Sequence, residues 1–238
     1  MNVTWHKLPR LYTVKPLVQH TTIELTTEHV HYLKNVMRLS EGAQARLFNG
    51  EDGEWICTIQ NLTKKSGTAE PQEQIRRQNK QQKSLHLYFS PIKKNRMDFL
   101  IEKAVELGVT DLHPIITKHT ENRKLNTERL HAQIIEATEQ SERLDIPNLH
   151  SDILLGSLLT TPVFSYPIFA AIERDDTLPL FTKPLDINTF GILIGPEGGF
   201  SSEEIQALHN CKNINGVNLG TQILRAETAA LKMLSIAG

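Results

Sequence analysis

The chain has 238 residues, 39% of them hydrophobic, and a formal net charge of −1, enough for one large domain or two small ones with a core that needs no staples. Its two cysteines, Cys57 and Cys211, are far apart and outside any CxxC pair, which excludes a disulfide framework and a thiolate zinc site and fits a reducing compartment. The opening MNVTWHKLPRLY lacks an apolar h-region and no run approaches a membrane span, so the expectation is a soluble, cytoplasmic protein with no membrane partner.

The charge is uneven. Residues 1–83 carry 12 Lys or Arg against 8 Asp or Glu, and residues 84–238 carry 14 against 19. Between Gln74 and Met97 there are seven basic residues and no acid. Such a block can contact a polyanion, but taken alone it is read as a solvated, basic linker.

In chain order, the first 70 residues read mostly as strand. Turn signals at Glu41-Gly42, Asn49-Gly50 and Asp52-Gly53 bracket β-prone runs at Ala43–Phe48 and Trp55–Ile59. One helix interrupts them, capped by Thr27, with Val30, Leu33, Val36 and Met37 on one face. A small barrel over residues 1–72 is the expected first domain. Residues 73–84 are polar and lack a core face, and are read as a basic linker.

From Leu85 the pattern alternates strand and helix. Strands are expected at Leu85–Phe89, Leu112–Ile116, Phe169–Ile172, Ile192–Ile194 and Val217–Leu219. Helices are expected at Asn95–Leu107 (Phe99, Leu100, Ala104 and Leu107 inward, Gly108 ending it), Thr127–Arg143, Ser201–His209 with a Ser201/Glu204 capping box, and Ala226–Ile236. Repeated βα units predict an α/β domain over residues 85–238 with a mostly parallel sheet covered on both faces.

Two strand-to-helix junctions carry the chemistry, since ligands of open α/β sheets lie at the carboxyl ends of strands. The first is ILIGPEGGFS, residues 192–201. Neither GxxxxGK[ST] nor GxGxxG occurs, and a carboxylate at Glu197 repels phosphate. Ile194, Gly195, Pro196, Glu197, Gly198 and Gly199 therefore suit a phosphate-free ligand bearing positive charge or donor hydroxyls, approached closely by backbone. The second is NLGTQILRAETAALKML, residues 218–234. Apolar Leu219, Ile223 and Leu224 around Gly220 read as a wall for an aromatic ligand, with Arg225 a cation beside the helix start at Glu227-Thr228. Taken singly, either stretch also fits an ordinary turn. His29 and His31 lack the further ligands a zinc site needs, so no metal is expected.

Together, GPEGGFS and LGTQILRAETA resemble the ribosomal RNA small-subunit methyltransferase E (RsmE) family of the SPOUT class. Pro9-Arg10-Leu11-Tyr12, HYLKNVMRL (31–39), Phe48-Asn49-Gly50, KKNRMDFLIEKAVELGV (93–109) and Glu136, Glu139, Gln140, Arg143 and Pro147 extend the likeness over nearly the whole chain. Gln222, Ala226 and Glu142 depart from the family's usual basic residue, Thr and small residue. The resemblance implies a PUA-like β-barrel ahead of a SPOUT α/β fold with a deep trefoil knot, which general topology rules would disfavour. It implies S-adenosylmethionine as cofactor, held by residues 194–199, Leu219, Gly220, Ile223, Leu224, Thr228 and Ala229. It implies N3 of a uridine in 16S ribosomal RNA of the small subunit as target, and a homodimer. On this reading Arg225 stabilises charge on the uracil, Glu227 is the candidate base with helix capping as its alternative role, and Arg10, Arg38, Lys93 and Arg96 contact RNA. A SPOUT enzyme acting on another base or on transfer RNA, and a non-catalytic RNA-binding assembly factor, are the rival readings.

Overall fold

A computed structural model describes residues 5–79, 83–160, 165–175, 177–182 and 187–237. The chain divides into two compact units, residues 1–80 with 138–146 and residues 81–137 with 147–238.

The first unit is built on a five-stranded sheet of β1 (Arg10–Tyr12), β2 (Ile23–Glu24), β3 (Gln44–Asn49), β4 (Gly53–Gln60) and β5 (Thr68–Arg76), in the order β1-β3-β4-β5-β2. β1 runs parallel to β3 and the other pairs are antiparallel. The β3–β4 hairpin closes where the sequence places Asn and Gly. The Asn49 side-chain oxygen accepts from the amide of Glu51 at 3.0 Å, an Asx turn, and Gly53 adopts φ +78°. Leu11, Val30, Leu33, Leu47, Cys57 and Ile59 form its core.

The helix α1 (Thr27–His31) is capped one residue earlier than expected, by Thr26, whose hydroxyl accepts from His29 N at 3.2 Å. It continues as a π turn, Tyr32–Val36. The wider turn shifts the helical phase, so Val30 and Leu33 stay buried while Val36 and Met37, expected on the same face, are exposed.

Glu54 is fully buried in this unit and is matched by three arginines. Arg10 Nε donates to it at 2.9 Å, Arg46 Nη1 at 3.1 Å and Arg76 Nη1 at 3.1 Å. The rest of the Arg10 guanidinium donates to the carbonyls of Thr138 (2.9 Å), Glu139 (3.2 Å) and Arg143 (2.5 Å), and its face lies over the Phe48 ring. Arg46 also pairs with Glu142 at 2.9 Å. These bonds explain why residues 138–146 belong to the first unit. Glu142 has φ +56°, a conformation that a side chain adopts only at a cost.

Two expectations change here. Residues 73–76 are strand and not linker, since they complete β5 and bring Arg76 to Glu54. Residues 80–82 of the expected linker lie outside the described residues. The single boundary expected near residue 84 also misses the return of 138–146 to the first unit.

The second unit is a seven-stranded sheet of β6 (Ser84–Phe89), β7 (Asp111–Ile116), β8 (Asn148–Leu149), β9 (Ile153–Leu154), β10 (Ile168–Ala171), β11 (Thr189–Ile194) and β12 (Ile214–Val217). The order is β12-β10-β11-β6-β7-β8, with β9 also on β7, and every strand pair described is parallel. Its helices are α2 (Lys94–Glu106), α3 (Thr127–Gln140, whose last residues belong to the first unit), α4 (Leu155–Thr160), α5 (Ser202–Asn210) and α6 (Ala226–Ala237). The capping box is present: Ser201 Oγ accepts from Glu204 N, and the Glu204 carboxylate accepts from Ser201 N at 2.8 Å. Leu100 and Ala104 of α2 are buried as expected, but Phe99 is 44% exposed and not inward. No described helix is long and apolar enough to cross a membrane.

Candidate active site

An all-parallel sheet sends the carboxyl ends of its strands to one edge, so the loops after β6, β7, β10, β11 and β12 gather there. Pro91, Ile92 and Lys93 after β6, His119, Glu121 and Asn122 after β7, and Pro196, Glu197 and Gly198 after β11 line a common cleft.

The glycine turn is tight and pinned. Gly199 N donates to Pro196 O at 2.9 Å, and Gly199 has φ +69°, which favours glycine. A Cβ on Gly198 would stand 3.2 Å from His119 Cβ. His119 Nδ1 lies 3.1 Å from the Gly199 carbonyl, and Lys118 N donates to Glu204 at 2.7 Å, so the β7 and β11 loops hold one another.

Beyond the turn, Arg96 of α2 forms an ion pair with Glu197, and its Nε lies 3.8 Å from Glu227 Oε1. Glu227, in the first turn of α6, is 7% exposed, and its Oε2 is buried with no hydrogen-bond partner among the described residues. A buried carboxylate oxygen without a donor costs energy. It is therefore a group that a ligand with an N–H or O–H can satisfy.

On β12's side, Gly220 has φ +107°, its amide donates to Asn218 Oδ1 at 2.7 Å, and Lys232 Nζ donates to Leu219 O at 2.7 Å. Ile223 is 61% exposed, Arg225 and Thr228 are exposed, and Ala229 is buried. The loop thus shows apolar side chains and a cation at its surface.

The chain shares features with known proteins along its length. A family model described as an RNA methyltransferase domain matches residues 79–238, and one described as an RNA methyltransferase PUA domain matches residues 25–72. Ribosomal RNA small subunit methyltransferase E of Rickettsia conorii is 35% identical over 96% of this chain and 94% of its own. The chain belongs to the ribosomal RNA small subunit methyltransferase E family. The Synechocystis protein of the same name is 29% identical over 92% of this chain and 74% of its own. The family member from Neisseria gonorrhoeae, solved with bound S-adenosylmethionine, superposes with a TM-score of 0.82 at 29% identity, covering 96% of this chain and 95% of that one.

Within this family frame, the residues singled out from sequence divide. Glu197, Glu227 and Arg96 come together: Arg96, expected on RNA, pairs with the two acids. Arg10, also expected on RNA, is 7% exposed and its guanidinium is used inside the first unit, so it offers RNA nothing. Its partners are 44 and 128 or more residues away in sequence, which no local pattern reveals. Arg38 (φ +55°) and Lys93 are exposed. His119 and Asn122 line the cleft but carry no distinguishing motif. In the loop after β10, Arg174 takes φ +58° and the Asp175 carbonyl accepts from Asn218 Nδ2 at 3.2 Å.

Proposed function

We propose that this chain transfers a methyl group from S-adenosylmethionine to N3 of a uridine in 16S ribosomal RNA. The observation that carries the reading is the buried Glu227 Oε2, a vacant acceptor in the same neighbourhood as the glycine turn and its Arg96–Glu197 pair. Family membership, and relatives solved with S-adenosylmethionine from Neisseria gonorrhoeae and Legionella pneumophila, support the cofactor. The SPOUT knot, a homodimer, the assembled small subunit as substrate and a cytoplasmic location belong to the same proposal.

The residues present fit that cofactor. It bears no phosphate, and the turn has no phosphate-loop lysine. Residues 194–199 offer backbone at close range, and Leu219, Ile223 and Leu224 offer apolar faces for adenine; Thr228 and Ala229 would complete the wall. When bound, S-adenosylmethionine supplies an electrophilic methyl on a sulfonium. Uracil N3 carries a proton and attacks only as that proton leaves. In this proposal Glu227 accepts it, supported by its buried, unpartnered Oε2, and Arg96 beside its other oxygen steadies the carboxylate. Arg225, exposed beside the start of α6, is the cation proposed to stabilise the charge that spreads onto O2 and O4. Arg38 and Lys93 hold the RNA backbone.

Arg225→Ala is expected to lower methyl transfer by about 10²–10³ with little change in cofactor affinity, because charge on the uracil oxygens grows only toward the transition state. Arg225→Lys recovers little, since a point ammonium does not replace a planar fork. Single-turnover kinetics at saturating S-adenosylmethionine measure both; a wild-type rate in the alanine variant removes Arg225 from the mechanism.

Gly198→Val is expected to weaken S-adenosylmethionine binding by roughly tenfold or more, because the added branches meet His119 and fill space reserved for the ligand. Calorimetry on the folded variant decides this, and an unchanged Kd would reduce the loop to a turn. The reading as a whole is tested by nucleoside mass spectrometry of ribosomal RNA from cells lacking the gene. Loss of 3-methyluridine from the small-subunit RNA is expected, and its retention at the wild-type level overturns the assignment.

A further inference from the structure

A second cluster of chemically active side chains lies in the second unit, on β6 and β7. His86 pairs with Asp111 and Tyr88 with His113 across two parallel strands. Opposed residues and residues two apart share a face, so His86, Asp111 and His113 all project from the same side of the sheet. Their ligand atoms lie within 4.8 Å of one another. His86 Nδ1 is 3.0 Å from His113 Nε2 and 3.8 Å from Asp111 Oδ2.

We infer that His86, Asp111 and His113 form a binding site for a divalent transition-metal ion of the zinc type. Zinc favours imidazole nitrogen and carboxylate oxygen at about 2.0–2.2 Å in a tetrahedral shell, which places ligand atoms about 3.4 Å apart. The spacings here bracket that value. Two neutral imidazoles and one carboxylate bring a charge of −1 to a dication. Three protein ligands leave a fourth position for water.

The surroundings are those of a supported site. Ser84 Oγ lies 3.0 Å from His86 Nε2; in the tautomer where Nε2–H donates to that hydroxyl, Nδ1 turns its lone pair to the ion. Asp111 is oriented through both oxygens: Thr110 Oγ1 donates to Oδ2 at 2.8 Å, and His150 Nε2 and Asn148 Nδ2 reach Oδ1 at 2.8 and 3.2 Å. His150 also stacks on His113, and Tyr166 on His86, which fixes both ring planes. The His86 and Asp111 side chains are each 13% exposed, whereas His150 is 43% exposed and forms the rim through which an ion enters. The cluster joins β6 to β7 near their amino-terminal ends, whereas the loops of the candidate active site follow the carboxyl ends of these strands, so its role is structural.

The test uses the untagged full-length protein after chelator treatment, with Zn²⁺ and Co²⁺ alone as probes. Expected are one Zn²⁺ per chain by calorimetry, a rise in Tm with Zn²⁺, and the intense visible absorption of tetrahedral Co²⁺. Asp111→Asn is expected to abolish the cobalt spectrum. His150→Ala, at the exposed rim and outside the ligand set, should fold whatever the fate of Asp111→Asn and should weaken zinc roughly 10- to 100-fold. Circular dichroism and the cooperativity of thermal unfolding serve as the check on folding, and neither depends on S-adenosylmethionine, so failure here is distinct from failure of the proposed function. Zinc binding of equal strength in wild type and both variants, or none in wild type, overturns the site.

Discussion

Glu227→Gln should slow methyl transfer by about 10²–10⁴, the range for losing a positioned general base, while S-adenosylmethionine affinity stays near that of the wild type. The amide keeps the shape of the carboxylate, so packing in the first turn of α6 is preserved. It removes the capacity to take a proton. Glu227 is 7% exposed with Oε2 buried and unpartnered among the described residues, so water is a poor substitute. A capping role predicts a different result, in which stability falls and the transfer rate of the folded fraction does not. Single-turnover rates and thermal unfolding on the same preparation separate the two, and a full rate in a folded glutamine variant would falsify the base assignment.

The largest effect on stability is expected from Glu54→Ala. Arg10 and Arg46 have side chains 4% exposed, and both donate to Glu54. Removing the acid leaves two buried cations facing each other without their common counter-charge. Breaking a buried ion pair from one side typically costs about 3–5 kcal/mol, more than the pair itself contributes. Both tryptophans, Trp5 and Trp55, belong to the first unit, so their fluorescence in a denaturant titration reports that unit alone. A shift below about 1 kcal/mol, the scale of an exposed pair, would show that the arginines find other partners.

How much of this was legible in the sequence depends on whether the determinant is local. The turns after β11 and β12 were readable because glycine has a local physical meaning: Gly199 and Gly220 take φ +69° and +107°. The capping box at Ser201 was readable for the same reason. Strands β8 and β9, of two residues each, are too short to show a period. The second half of β5 is polar because its residues are exposed or half-buried, so composition alone made it a linker. The exposure of Phe99, Val36 and Met37 depends on helix phase, which one π turn or a slight rotation changes. Arg10 is the clearest case. A basic residue near the start of an RNA-modifying chain suggests RNA, and only the fold brings Glu54 and three distant carbonyls to its guanidinium.

The discontinuity of the first unit has a consequence for synthesis on the ribosome. Residues 1–80 emerge first, but the carbonyls of Thr138, Glu139 and Arg143 that Arg10 requires emerge some 60 residues later. At translation speeds of about 5–20 residues per second, that interval lasts roughly 3–13 s. Throughout it the nascent first unit holds an arginine with Glu54 in place for its Nε, while its Nη donors lack their native carbonyl acceptors. The amino-terminal unit therefore reaches its final state only after more than half of the chain has been made.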